Sequence, residues 1–309
     1  MNKSTSPNHT NSKAIEQSSK PSWKQISLPL DNSKMIAFVR QLDKPVFLDG
    51  TYIDGAANYQ IVSGSPIKTL RDENLDATND DFKTQISELE NLAKQIPQPP
   101  STMEALPFTA GLAGFVSYEY GAYQNIDFCH EQNTAKHEIE IDNLLPTIYI
   151  GLFTWSLVKN LSTRTSYLTF SPLCPPKERE KIQRYLNNSN PDNEALYKDD
   201  YFKIYWHKTL SKQNYRQQVA KIKDYILAGD CYQVNFTQRF EAKSDIDTLD
   251  YYQHLASKTK TPYSCYLSLG DNRQLLSFSP EQFIGINNKL VSTKPIKGTI
   301  ANTGKESGK

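Results

Sequence analysis

Along this chain the spacing of apolar and polar positions changes period several times, and each change marks an element. Phe38, Val46, Phe47 and Leu48 precede an Asp49-Gly50 turn, and Tyr59 to Val62 is a second apolar run, ended by Gly64-Ser65-Pro66. Short strands with turns are the expectation from Ile26 to about Ser171. One helix interrupts them from Asp81 to Gln95, where Phe82, Ile86, Leu89, Leu92 and Ala93 fall near one face. Pro97, Pro99 and Pro100 then stop it. Gly111 to Tyr118 reads as a strand whose small residues admit another backbone closely. Pro146 to Trp155 and Tyr167 to Phe170 are two more strands.

The polar stretch from about 176 to 213, with its run of asparagines near Asn188 and Asn193, reads as a linker or exposed loop. Beyond it Tyr215, Val219, Ile222 and Ile226 follow helical spacing, with Asn214 as the expected N-cap and Gly229 as the C-cap. Cys231 to Phe240 alternates as a strand would, placing Gln233, Asn235, Thr237 and Arg239 on one face. A second helix is expected from Thr248 to Ser257. Strands follow near Tyr263 to Leu269, Leu275 to Phe278, Gln282 to Ile286 and Leu290 to Lys294. A hairpin turn at Asn287-Asn288 would set Glu281 opposite Lys294, with Lys297 one step beyond.

Composition narrows the partners. The 35 Lys+Arg against 34 Asp+Glu leave a formal charge of +1, which gives no electrostatic footprint for nucleic acid. The longest apolar stretch, around Leu144 to Phe153, is short and contains Pro146, so no transmembrane helix is expected. Four scattered cysteines without a C-x-x-C pair read as reduced thiols of a cytoplasmic protein. Residues 1 to 25 are rich in Ser, Asn, Lys and Thr and read as a disordered tail. The expected division is then 26–175, a linker at 176–213, and a second domain over 214–309. Phosphate-loop readings fail: Gly298 and Gly304 are spaced wrongly, and Lys305 is followed by Glu306.

Lys297 is pinned between Pro295-Ile296 and Gly298-Thr299, and such a lysine is a nucleophile if its surroundings lower its pKa. Two further blocks stand upstream, Gly229-Asp230-Cys231-Tyr232-Gln233-Val234-Asn235 and Ser277-Phe278-Ser279-Pro280-Glu281-Gln282-Phe283. In this order the three blocks resemble the chorismate-utilising enzymes, and within them component I of aminodeoxychorismate synthase. The resemblance runs from about residue 30 to 300. It implies an α+β fold, an antiparallel β-rich sandwich of sheets and helices in two subdomains, like anthranilate synthase component I.

By that resemblance Lys297 is the covalent nucleophile that attacks ring carbon C2 of chorismate, and Glu281 is the general acid/base that helps the C4 hydroxyl depart. Anthranilate synthases carry alanine where this chain has Lys297 and are the rival reading. Gly298 and Thr299 resemble substrate contacts near the ring carboxylate. The resemblance further implies Mg²⁺ on the substrate, ammonia from a separate glutaminase subunit, and a tryptophan-type effector pocket. The matching effector positions are Gly50, Ala56, Ala57, Asn58, Tyr59, Pro262, Tyr263 and Ser264. Gly50 stands where the family has serine, which removes a hydroxyl from that pocket. The family continues well past the lysine, through its metal-ligating glutamates. The expectation is therefore a C-terminally truncated chain that holds the nucleophile and the acid but no metal ligands. A non-enzymatic rival is a module that keeps only effector or glutaminase binding.

Overall fold

The computed structural model describes residues 22–50, 58–72, 80–118, 120, 145–189, 199–287 and 289–296. The described chain runs β1 (Lys24–Leu28), α1 (Asn32–Arg40), β2 (Val46–Asp49), β3 (Tyr59–Ser63), β4 (Lys68–Asp72), α2 (Asp80–Lys94), β5 (Gly111–Val116), β6 (Ile148–Phe153), β7 (Trp155–Asn160) and β8 (Thr165–Phe170). It continues through α3 (Pro176–Asn188), β9 (His207–Lys208), α4 (Lys212–Ala228), β10 (Phe240–Glu241), α5 (Thr248–Thr259), β11 (Tyr263–Gly270), β12 (Arg273–Ser279), β13 (Gln282–Asn287) and β14 (Leu290–Lys294).

Seven strands form one antiparallel sheet in the order β1-β8-β7-β3-β2-β11-β12. Because side chains alternate across a strand, its two faces bury different partners. One face carries Phe47, Val62, Leu157, Leu168 and Tyr266 and packs under α1, α3 and α5 in the main core. The other carries Val46, Leu267 and Leu275. It meets Tyr149, Phe153 and Phe115 of the three-stranded sheet β4-β6-β5. The outer side of that small sheet is covered by α2, whose Leu89 packs with Leu70, Ile148 and Leu152. Helices, sheet, sheet and helix thus stack in four layers, the sandwich the resemblance implied.

Close approach between the small sheet's strands depends on Gly114. A Cβ there would lie 1.9 Å from the Tyr149 carbonyl oxygen and 2.8 Å from the Ile150 Cα. The β11–β12 hairpin turns through Asp271 and Asn272, with φ of 51° and 57°, the left-handed pair that matches strand twist.

Four sequence expectations change. Phe38 lies on a helix: Asp31 caps α1 by accepting from the Lys34 amide at 2.7 Å, and Met35, Phe38 and Val39 are buried on one face. Nine residues with one apolar stripe leave too short a periodic signal beside the Val46–Leu48 run. Residues 176–188 of the expected linker are α3, started by Pro176 at its first turn and docked by Ile182 and Leu186 in the main core. The division at 176–213 also does not separate the packing, because β11 pairs with β2 and extends the N-terminal sheet. Finally, the strand expected over Cys231 to Phe240 is paired only at Phe240–Glu241, against His207–Lys208.

Among the described residues, no helix is long and apolar enough to cross a membrane.

Candidate active site

Glu281 follows β12 in a tight connection to β13. The Ser279 hydroxyl donates to the Glu281 carbonyl at 3.0 Å, which fixes the bend after Pro280. From there the half-buried Glu281 carboxylate reaches across the hairpin mouth. Its Oε1 accepts from the Ile296 backbone amide at 3.3 Å. The register differs from expectation: Asn287 pairs with Leu290, and Lys289 takes a φ of 68°. An irregularity between Gln282 and Gly285 then leaves Gln282, not Glu281, opposite Lys294. The later register moves the carboxylate past the last ladder pair, and the irregularity takes back only part of that shift. It therefore meets the segment leading to Lys297, while Lys297, Gly298 and Thr299 themselves lie outside the described residues.

Tyr263 stands at the same end. It pairs with Ser279 across β11–β12, and its hydroxyl donates to the Gln282 side-chain oxygen at 3.5 Å.

The described effector-type positions converge at one end of β2, β3 and β11, inner strands of the seven-stranded sheet. The Gly50 amide donates to the Tyr59 carbonyl at 2.9 Å, and Ser264 sits opposite Asp49 in the β2–β11 ladder. The Ser264 and Thr261 hydroxyls are 2.7 Å apart, which ties the turn carrying Pro262 to β11. The Asn58 carbonyl accepts from the Leu161 amide at 2.9 Å, and the Asn58 side-chain oxygen is buried without a partner. Gly50, Asn58, Tyr59, Pro262, Tyr263 and Ser264 are therefore neighbours. Ala56 and Ala57 lie outside the described residues.

A polar row missed in the sequence joins this pocket. Ladder partners place Ser166, Lys159, Gln60, Asp49 and Ser264 side by side across five strands, on the face that carries the main core. Lys159 is only 8% exposed, and its ammonium donates to the Asn32 side-chain oxygen at 2.6 Å. Burial pushes its pKa down, and the nearby Asp31 carboxylate opposes that shift. Gln60 donates to Asp49 at 3.4 Å. Tyr252 of α5 lies against that carboxylate, and its phenol pKa is raised by burial first and by Asp49 after. A lysine closing an apolar run (Trp155-Ser-Leu-Val-Lys159) ordinarily signals a strand's solvent face. Only the ladder register shows that it points inward.

Among the described residues no group of three or more His, Cys, Asp or Glu side chains is placed to hold an ion.

Comparison with known proteins places this arrangement. A family model described as chorismate binding enzyme matches residues 50–308, so the chain belongs to the chorismate-binding enzymes. Aminodeoxychorismate synthase component 1 of Escherichia coli is 27% identical over 256 residues, covering 79% of this chain and 52% of that protein. Anthranilate synthase component 1 of Lactococcus lactis is 25% identical over 253 residues, with 79% and 53% covered. Among solved structures, anthranilate synthase component I from Streptococcus pneumoniae matches with a TM-score of 0.57 at 19% identity. That match covers 77% of this chain and 54% of that one, and supports the fold. The chain spans about half the length of the relatives it matches.

Proposed function

We propose that this chain belongs to an enzyme that aminates chorismate at C4 to 4-amino-4-deoxychorismate, on the route to para-aminobenzoate. In this reading the Lys297 amine adds at C2 as the C4 hydroxyl leaves with a proton from Glu281. Ammonia then adds at C4 and the lysine departs. The acid is required because hydroxide is a poor leaving group. The observation that carries the reading is the hydrogen bond from the Ile296 amide to Glu281 Oε1, which holds a carboxylate against the residue next to Lys297. Both relatives are named as component 1 of their synthases. A glutaminase subunit is accordingly the proposed second component and ammonia source.

The test supplies chorismate, Mg²⁺ and ammonium to the chain and to its Lys297→Ala variant, with products separated chromatographically and peptides weighed. Expected is a chorismate-derived adduct, less one water, on the Lys297 peptide before ammonium is added, and C4-aminated product afterwards. Anthranilate as the product would instead favour the C2-aminating relatives. Neither adduct nor product, with saturable glutaminase or tryptophan binding, would favour a binding module. C4 product from Lys297→Ala at the parent rate would end the covalent role.

A further inference from the structure

A cleft of about 740 Å³ opens between the chain entering α1 and the turn joining β7 to β8, a size usual for small-molecule sites. Three cations line it, Lys34, Lys159 and Arg164, against the single carboxylate of Asp31. That carboxylate is already engaged, because it caps α1 by accepting from the Lys34 amide. Elsewhere Arg40, Lys68, Arg71 and Lys94 each pair with a carboxylate, but among the described residues none of the three cleft cations does. Lys159 is the telling member. A buried ammonium ordinarily needs a partner of opposite charge. Lys159 is buried, yet its contact is the neutral Asn32 side-chain oxygen, one acceptor for three N–H donors. The turn that brings Arg164 to the cleft is fixed: the Asn160 side-chain oxygen accepts from the Ser162 and Thr163 amides at 2.9 and 3.0 Å. Pro29, Leu30 and Leu161 supply an apolar wall.

We infer that this cleft binds a small organic dianion, a phosphate monoester whose phosphate sits among Lys34, Lys159 and Arg164 and whose apolar body lies on Pro29, Leu30 and Leu161. The charge count sets the valence: three cations less one carboxylate leave two positive charges. The geometry sets the head group. A phosphate offers three terminal oxygens and two charges at one point, so it meets all three cations together, whereas a carboxylate offers two oxygens and one charge. No lining residue belongs to the hairpin that carries Glu281 or to the effector-type positions. The inference does not rest on the C4 chemistry and is read by binding alone, so either can fail without the other.

The test titrates phenyl phosphate into the 309-residue chain, followed by calorimetry and amide chemical shifts, with inorganic phosphate, benzyl alcohol and tryptophan as further probes. Expected is one-to-one binding that weakens as salt is raised, with the amide shifts centred on residues 30–34 and 159–164. Arg164→Gln, on an exposed turn, and Lys159→Met should each weaken binding at least about tenfold, the worth of one hydrogen bond to a charged group. Lys159→Met should melt no lower than the parent, because it removes a buried charge that no carboxylate pairs. Inorganic phosphate should bind more weakly than phenyl phosphate. The inference fails if phenyl phosphate leaves those amides unmoved, or if inorganic phosphate or benzyl alcohol binds as tightly. It fails equally if Arg164→Gln keeps the parent affinity, or if tryptophan displaces phenyl phosphate and so merges the cleft with the effector-type pocket.

Discussion

Two amphipathic helices in this molecule meet opposite fates. The nine-residue α1 buries Met35, Phe38 and Val39 completely, while the seventeen-residue α4 buries nothing. Both are well capped, α1 by Asp31 and α4 by Ser211 and by Gly229 at a φ of 85°. Caps and spacing thus do not decide whether a helix contributes to a core. The presence of a facing sheet does. An isolated helix of this length is marginal in water, and among the described residues α4 makes a ring contact through Tyr215 with Phe236, 5.2 Å apart.

That contrast can be broken by mutation. Trp155→Ala removes a fully buried ring that packs edge-on against Phe38 and donates to the Gly64 carbonyl at 2.9 Å. Denaturant titration should show a loss of about 3–5 kcal/mol. Leu227→Ala should stay within about 0.5 kcal/mol; a large loss there would mean that α4 belongs to a closed core.

Gly114→Ala should cost about 1–3 kcal/mol or more, because the new methyl must displace the β6 backbone it meets. Thermal melts check this; an unchanged midpoint would show that the small sheet can slide.

Asp247 caps α5 by accepting from the Leu249 and Asp250 amides at 3.0 Å and also pairs with Arg40 at 2.9 Å. Asp247→Ala should cost about 1 kcal/mol, mostly through the cap, because the ion pair is exposed.

The smallest effect at neutral pH lies at Tyr149. Its hydroxyl is buried without a partner, and burial first, then Asp43, pushes the phenol up to about 12 against an opposing Arg71. A raised folded pKa means its contribution is whole below the ordinary value near 10 and is lost as pH climbs through about 12. Tyr149→Phe should hold or slightly raise stability at pH 7 and flatten the alkaline limb of an unfolding curve.

Elements with long or strongly alternating signals are legible in the sequence: α2, the strands β11 and β12, Gly229 as a cap, and the sheets-and-helices class. Errors clustered where distant pairing decides the outcome. Asn214 looked like a cap by residue type, yet its amide is the group being capped, by the Ser211 hydroxyl at 3.1 Å. Residues 231–239 largely alternate, Gln238 apart, but a strand needs a neighbour, which local periodicity does not supply. Glu281 is legible through the family motif, but its contact with Ile296 depends on a hairpin register shifted from the one that Asn287-Asn288 suggests. Lys159, Gln60 and Asp49 were overlooked because their row exists only in the ladder.

The edge of β2 is completed by β11, and side chains 200 and 210 residues apart, Arg71 with Asp271 and Arg40 with Asp250, clasp the same closure. During synthesis the early strands must therefore wait, with one edge bare, until residues 200 positions later have left the ribosome. Such distant stitching slows folding and leaves that edge open to mispairing in the meantime.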